Sequence, residues 1–268
     1  MDYEGVIEKI DSYRRKYGKC ITNIILGAMK TEVKYDIIER ESGLIIVGHE
    51  AHRKRGYFIA EDITELKKLL QDVPKNVFFE WIYRDENILA EIEKDICLTL
   101  YETYFRISDV WAKNPYEVPI EGRRSILQEM YDSACGEYAV EQDAEELYNL
   151  SRSVFDTNCD DVFTVEEWKK RISEKEVLIY RENSKIVSCY VWRLEGRKLY
   201  SNISINRGAA NILYNMERRI FTEMWEKGIR TYYAWYNTKN KKELARGNKN
   251  ACKYILREDI IYNAIYQS

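Results

Sequence analysis

The segment that decides the fold runs from residue 198 to residue 240, KLYSNISINRGAANILYNMERRIFTEMWEKGIRTYYAWYNTKN. Apolar residues alternate through Leu199, Ser201, Ile203 and Ile205, which predicts a strand. A turn at 207–210 leads into an amphipathic helix, and after Gly228 a second strand follows. The start of a helix presents unpaired N–H groups and the positive end of the helix dipole, so this order of elements predicts a place for a phosphate or pyrophosphate group.

Composition indicates a globular protein and argues against some classes of partner. Of the 268 residues 45% are hydrophobic and 32% are charged, and no apolar run is long enough to cross a membrane. The sequence begins with the acidic, amphipathic MDYEGVIEKID, which predicts no secretory signal and a cytoplasmic location. A net charge of −3 and a pI near 5.7 argue against nucleic acid as a partner.

Few residues are suited to metal or histidine chemistry. The six cysteines are scattered without a C-x-x-C pair, and the two histidines, His49 and His52, lie in what reads as a basic loop, so we expect no metal site. Cys189 falls within a predicted core strand and is expected to be buried rather than nucleophilic. General acids and bases would therefore come from glutamate, cysteine or the 22 tyrosines.

A connector divides the chain. Two of the three prolines, Pro115 and Pro119, lie within AKNPYEVPIEG, where neither a helix nor a central strand can continue. We therefore predict two domains, residues 1–115 and residues 120–268. Each half has the same plan of hairpin strands, helix, strand, helix and strand, which predicts an α/β (α+β) fold; no repeat of residues between the halves demonstrates a duplication, so an accidental similarity is the alternative interpretation.

From Gly136 onward, the helices, the three-strand meander and the crossover at 198–240 resemble the GNAT superfamily of acyl-CoA-dependent N-acyltransferases. The first half resembles a truncated version of the same fold. The resemblance implies tandem GNAT-like domains, each with a mixed, mostly antiparallel sheet flanked by helices. It also implies acetyl-CoA or another acyl-CoA as co-substrate.

The phosphate-binding turn of that family has the pattern [Q/R]-x-x-G-x-[G/A]. Here Arg207 takes the first position, Ala210 replaces the central glycine, and Ile212 replaces the second small residue. Both replacements restrict how closely the backbone can approach a phosphate, so a simple strand-to-helix connection is the alternative interpretation. The residues that the resemblance places against the co-substrate are Ser204, Ile205, Arg207, Gly208, Ala209, Ala210, Asn211, Asn237 and Asn240.

Candidate catalytic residues are fewer. The resemblance implies a tyrosine that protonates the departing thiolate, and Tyr254 is the nearest candidate. Glu195 and Glu182 end strands near the expected cleft and are candidate bases, although both also read as solvated turn residues. Backbone N–H groups near Ile205 would stabilise the oxyanion when a substrate amine attacks the thioester directly.

Three functions follow as hypotheses. The first is an acyl-CoA-dependent N-acyltransferase acting on a small amine. The second is an inactive binding or scaffolding module that keeps only the fold. The third is transfer of an aminoacyl group from a tRNA, against which the acidic pI argues.

Overall fold

A computed structural model describes residues 1–24, 29–83, 98–115, 136–157, 160–237, 239–240 and 260–266. Within these ranges the α-helices are α1 Tyr3–Tyr17, α2 Ile63–Leu70, α3 Ala144–Arg152, α4 Val165–Ser173 and α5 Ala210–Glu226. The strands are β1 Ile21–Thr22, β2 Tyr35–Arg40, β3 Gly43–His49, β4 Lys54–Ala60, β5 Val77–Tyr83, β6 Leu98–Val110, β7 Glu137–Tyr138, β8 Val177–Glu182, β9 Lys185–Glu195, β10 Lys198–Asn206, β11 Thr231–Asn237 and β12 Ile260–Tyr266.

Local capping chemistry fixes several helix starts where the sequence predicts them. Residues 164–167 have the Thr-x-x-Glu pattern that predicts a capping box. The Thr164 hydroxyl accepts from the Glu167 N–H at 3.2 Å, and the Glu167 carboxylate accepts from the Thr164 N–H at 2.8 Å, which completes this box at the start of α4. Asp143 precedes α3 but does not cap it, since its carboxylate accepts from the Val140 N–H at 2.9 Å and pairs with Arg181.

All twelve strands belong to one sheet in the order β2-β3-β4-β5-β12-β6-β11-β10-β9-β8-β7, with β1 paired to β4. The two halves therefore do not keep separate sheets. Strand β12, from the end of the chain, lies between β5 and β6, and β6 lies between β12 and β11. Each half thus inserts one strand beside a strand of the other. The predicted boundary between 115 and 120 stays a prediction, since 116–135 lie outside the described residues.

The helices cover both faces of the sheet. Helix α1 packs on Leu44, Ile46 and Tyr57, whereas α2 packs on the alternate residues of the same strands. In the second half α3 and α4 pack on one face and α5 on the other. A contact between Arg55 and Asp161, in the α3–α4 connection, places α1, α3 and α4 on one side, which we call the front face; α2 and α5 cover the back face.

Three further features of the described part of the chain bear on function. None of its helices combines the length and hydropathy needed to span a membrane, and none of its His, Cys, Asp and Glu side chains gather in threes as a metal site would require. Cys189 is fully buried, as predicted, and burial raises the pKa of its thiol to about 12. The thiol is therefore protonated at neutral pH and unsuited to nucleophilic attack.

A chain that ends at residue 259 should not form a stable fold. Removal of β12 leaves the facing edges of β5 and β6 without hydrogen-bond partners in the middle of the sheet. We expect such a chain to be insoluble or to lose its cooperative urea transition, measured by circular dichroism. A chain that ends at residue 266 keeps β12 and is the control; equal stability of the two would contradict the strand order.

Candidate functional site

Strands β10 and β11 separate partway along their length. They pair in parallel only from Lys198–Ser201 to Thr231–Ala234. Beyond that point β10 continues to Asn206 while paired with β9, and β11 continues to Asn237 while paired with β6. We call the gap between 202–206 and 235–237 the carboxy-terminal fork. Among the described residues, no strand pairs with the facing edges of β10 and β11 within this fork.

A β-bulge marks the point where the fork opens. The register of β10 against β9 shifts between Ser201 and Ile203. Leu199 consequently packs with α5 on the back face, whereas Ile203 and Ile205 pack with α3 and α4 on the front face. The predicted unbroken alternation through these residues is wrong, because the extra residue of a bulge turns the following side chains to the other face.

The ladder pattern of β10 decides which of its backbone groups face the fork. The Arg207 N–H donates to the Val187 carbonyl of β9 at 2.8 Å. In an antiparallel ladder hydrogen-bonded residues recur at every second position, so Ile205 also points toward β9. The backbone groups of Ser204 and Asn206 therefore point into the fork. The amide that could meet an oxyanion is that of Ser204 rather than that of its neighbour.

Some of the hydrogen-bonding groups of the turn after β10 are engaged within the protein. The Asn206 side chain accepts from the Gly208 N–H at 3.1 Å and from the Ser188 hydroxyl at 2.5 Å, and it donates to the Ala209 carbonyl at 3.1 Å. The amides at 207 and 208 are thus engaged within the protein. Helix α5 starts with no side-chain cap and no acidic residue in its first turn. The N–H groups of 209–211 have no assigned acceptor among the described residues.

Gly208 is required for close packing rather than for an unusual backbone angle. A Cβ at this position would lie 2.6 Å from Cδ1 of Ile212 and 3.0 Å from Oε1 of Glu182. Ile212 is only 3% exposed and joins the core beneath α5. The isoleucine that departs from the family pattern therefore points inward and does not fill the space above the turn.

The other predicted contacts lie at the rim of the fork. The Arg207 guanidinium donates to the Ser153 hydroxyl at 2.7 Å and ties the turn to the end of α3. The Asn237 side chain donates to Glu102 at 3.0 Å and accepts from the Lys239 N–H at 2.8 Å. The Asn240 N–H donates to the Asn237 carbonyl at 3.0 Å, so both asparagines shape the end of β11. Tyr254 lies outside the described residues.

Glu195 lies beside the paired end of β10, not within the fork. It accepts a hydrogen bond from the Tyr233 hydroxyl and pairs with Arg193. Burial acts to raise the pKa of Glu195, but the hydrogen bond from Tyr233 and the charge of Arg193 outweigh it and lower the pKa below its usual value. The carboxylate is therefore ionised at neutral pH and a weak base.

An aromatic floor adjoins this carboxylate on the front face, and the sequence analysis did not identify it. Tyr200 and Tyr233 stack with ring centroids 4.7 Å apart, Arg193 lies 5.0 Å above the Tyr200 ring, and Arg106 lies 5.5 Å from the Tyr233 ring. Both tyrosines keep part of their surface exposed. The alternation in TYYAWY predicts one outward-facing row but cannot say that Tyr200 meets Tyr233, because their pairing spans the whole of α5.

The first half contains the equivalent fork, and there the chain fills it. Strands β4 and β5 pair in parallel only from Lys54–Gly56 to Val77–Phe79. Strand β1 then pairs with the far end of β4. The Asn23 side chain donates to the carbonyls of Gly56 and Glu80 at 3.0 and 2.9 Å and accepts from the Phe58 N–H at 2.7 Å. One buried amide thus satisfies backbone groups on both sides of this amino-terminal fork.

The helix beside the amino-terminal fork is also closed to an anion. The Asp62 carboxylate accepts from the Glu65 N–H at 2.9 Å, and Glu65 adds a second negative charge to the first turn of α2. A phosphate at this position would meet repulsion from two carboxylates. The two halves therefore differ within the part of the chain that the structure describes: one fork is filled and its helix capped, whereas the other fork is not filled and its helix is not capped.

Comparison with solved structures shows the fold. A GCN5-related N-acetyltransferase from Sphaerobacter thermophilus has a TM-score of 0.56 and 12% identity over 85% of this chain and 78% of that chain. A tandem GNAT protein from the clavulanic acid biosynthesis pathway has a TM-score of 0.53 and 8% identity over 91% of this chain and 86% of that chain. An acetyltransferase of the GNAT family from Colwellia psychrerythraea has a TM-score of 0.52 and 9% identity over 97% of each chain.

Comparison by sequence adds nothing to this, since no protein-family model and no curated protein matches the chain. At the identities found, the likeness to solved structures concerns the fold alone. The chain has the GNAT fold, and its repeated plan of strands and helices is that of a tandem arrangement.

Replacement of Asn23 by alanine should destabilise the protein by about 2–3 kcal/mol, because buried backbone groups of β4 and β5 lose their partner. Urea unfolding followed by fluorescence measures the change. Asn149, exposed on α3, provides a matched control whose replacement by alanine should change stability by less than about 0.5 kcal/mol. Equal effects at the two sites would show that the amino-terminal fork does not depend on Asn23.

Proposed function

We propose that this chain, which has the GNAT fold, is an acyl-CoA-dependent N-acyltransferase that transfers an acyl group, acetyl in the first instance, to a small amine. One observation carries the proposal. The carboxy-terminal fork is not filled by any described residue and lies beside an uncapped helix start, whereas the equivalent fork of the first half is filled by Asn23 and capped by Asp62. Backbone groups left at a fork need a partner, and an extended amide-containing ligand supplies one.

The residues at this fork fit such a ligand in part. The backbone groups of Ser204 and Asn206 would pair with the amides of the pantetheine arm. The N–H groups of 209–211 at the start of α5 would hold a phosphate, with Arg207 adding positive charge at the rim. An acyl-CoA bound there supplies a thioester that an amine can attack directly.

The amine would approach from the front face. On the back face, Leu199, Tyr232 and Ala234 are buried beneath α5 at the place where β10 and β11 separate. The front face there carries the partly exposed Tyr200 and Tyr233. Glu195, hydrogen-bonded to Tyr233, is ionised and is the candidate proton acceptor on this side, although its lowered pKa makes it a weak base. Tyr254 remains a candidate proton donor to the thiolate.

The proposal includes a small-molecule amine as partner, no nucleic acid and a location in the cytoplasm. The net charge of −3 supports the exclusion of nucleic acid. A tRNA gel shift tests the aminoacyl-tRNA alternative, and a shift at micromolar protein would favour that alternative.

A second function, binding without catalysis, is favoured by one observation. The amides of Arg207 and Gly208 are engaged within the protein, and the Glu182 carboxylate lies close to the same turn. Both features weaken the hold on a diphosphate compared with a fully open turn. Calorimetry with acetyl-CoA, followed by release of free thiol on addition of a panel of primary amines, separates the two. Binding without turnover favours a scaffold, and no binding at millimolar acetyl-CoA contradicts the transferase.

Replacement of Ala209 by aspartate should weaken acetyl-CoA binding strongly while keeping or raising stability. Ala209 is exposed and is the N-cap of α5, so aspartate here copies Asp62 of the first half. A capping carboxylate adds about 0.5–2 kcal/mol to the helix, but it occupies the N–H groups and repels a phosphate. Calorimetry should show at least about tenfold weaker binding, and thermal unfolding should show no loss of stability.

Ala209→Ser is the matched control, since serine caps the helix without a charge. We expect it to weaken acetyl-CoA binding less than aspartate does. If Ala209→Asp binds acetyl-CoA as tightly as the unchanged protein, the start of α5 does not hold the phosphates and the proposed binding mode is wrong.

A further inference from the structure

The first half contacts the α3–α4 connection of the second half through Arg53, which follows β3. The Arg53 side chain is 5% exposed. Its guanidinium donates to the Asp160 carbonyl at 3.2 Å and to the Asp161 carboxylate, and its Nε donates to Glu50 at 3.0 Å. One arginine thus joins the β3–β4 turn to residues 107 and 108 positions later in the chain.

Neighbouring contacts also join the first half to the α3–α4 connection and to α4. Arg55 lies 3.4 Å from the Asp161 carboxylate, and the Tyr104 hydroxyl donates to the Asp160 carboxylate at 2.5 Å. Lys30 pairs with Glu167 of α4 at 2.6 Å. All of these donors belong to the first half, and all of the acceptors belong to the α3–α4 connection or to α4.

The α3–α4 connection lies on the front face of the sheet, from which the amine would approach. Tyr104, whose hydroxyl donates to the Asp160 carboxylate, pairs in register with Asn237 at the edge of the carboxy-terminal fork, so this contact of the connection lies beside the fork. The Asp161 side chain is 60% exposed even though two arginines contact it, so it faces solvent.

Stability alone does not account for the network. Two charged side chains, Arg53 and Arg55, are only 5% and 6% exposed, and apolar residues of similar size would stabilise a buried contact as well as or better than ion pairs. Ion pairs with several hydrogen bonds do fix geometry, because each bond is directional. The network is therefore suited to holding the connection in one position.

We propose that Arg53 is a positioning residue of the acceptor site, through which the first half holds the wall of the transferase site in the second half. The first half, whose own fork is filled by Asn23, would thus serve the other half instead of carrying a second transferase site. This inference rests on the proposed function, and its test must distinguish failure of one from failure of the other.

The test compares the full-length chain with Arg53→Met, which keeps the length of the side chain and removes its charge and donors. Hydrogen exchange of residues 160–164 should rise at least about tenfold, and the KM for the best amine of the panel should rise by a similar factor. The affinity for acetyl-CoA should stay within about twofold, because the hydrogen bonds of Arg53 to the second half reach the α3–α4 connection and not the start of α5. Arg40→Met, which removes an arginine paired with Asp72 inside the first half, should change none of these values.

A double variant separates position from stability. Arg53→Met alone leaves Asp161 with fewer positive partners and lowers stability, whereas Arg53→Met with Asp161→Asn also removes the charge and should restore most of it. If Arg53 positions the wall, the amine KM stays raised in the double variant, and Arg53→Lys recovers part of it. Recovery of the KM together with stability, or unchanged exchange in Arg53→Met, would overturn the inference. If the unchanged protein binds no acetyl-CoA, the proposed function is wrong instead. The hydrogen exchange of residues 160–164 would then decide by itself whether Arg53 holds the connection.

Discussion

One constraint governs this structure: where two parallel strands separate, their backbone N–H and C=O groups need other hydrogen-bond partners. Each half has such a fork, between β4 and β5 in the first and between β10 and β11 in the second. Buried N–H and C=O groups without partners cost free energy comparable to a lost hydrogen bond. In the first half β1 and the Asn23 side chain meet that need. In the second half no described residue does, and the backbone of Ser204 and Asn206 is directed into the gap.

The exchange of strands gives the forks a rigid setting. Since β6 and β12 lie side by side in the centre of the sheet, each with a partner strand from the other half, the two halves share one floor. The front face of that floor is bordered by helices of both halves, and the contacts of Arg53 with Asp160 and Asp161 bind the first half to the connection before α4. A sheet continuous across both halves explains why residues over one hundred positions apart contact one another.

The turn before α5 shows how departures from a family pattern can be accommodated. Ile212 replaces a small residue, yet it lies in the core and leaves the start of the helix clear, because Gly208 lets it pack closely. Asn206 is the greater restriction, since its side chain uses the Gly208 amide. A ligand at this turn would meet fewer amides than the family pattern supplies. In the proposed function the amine would approach from the front face, because α5 buries the back of the same strands.

The amino-acid sequence by itself determined the local elements. Apolar periodicity placed the β8–β10 meander and α5, and the Thr-x-x-Glu pattern at 164–167 placed the start of α4, because these signals act between residues at most a few positions apart. The resemblance of 198–240 to a known pattern also indicated the segment in which the fork lies. Only the tertiary structure decided that β12 lies between β5 and β6, that the bulge after Ser201 turns Ile203 to the front face, and that Asn23 fills one fork while the other is left without it. These features depend on pairing between distant strands, whose register is set by the whole sheet and leaves no local trace in the sequence.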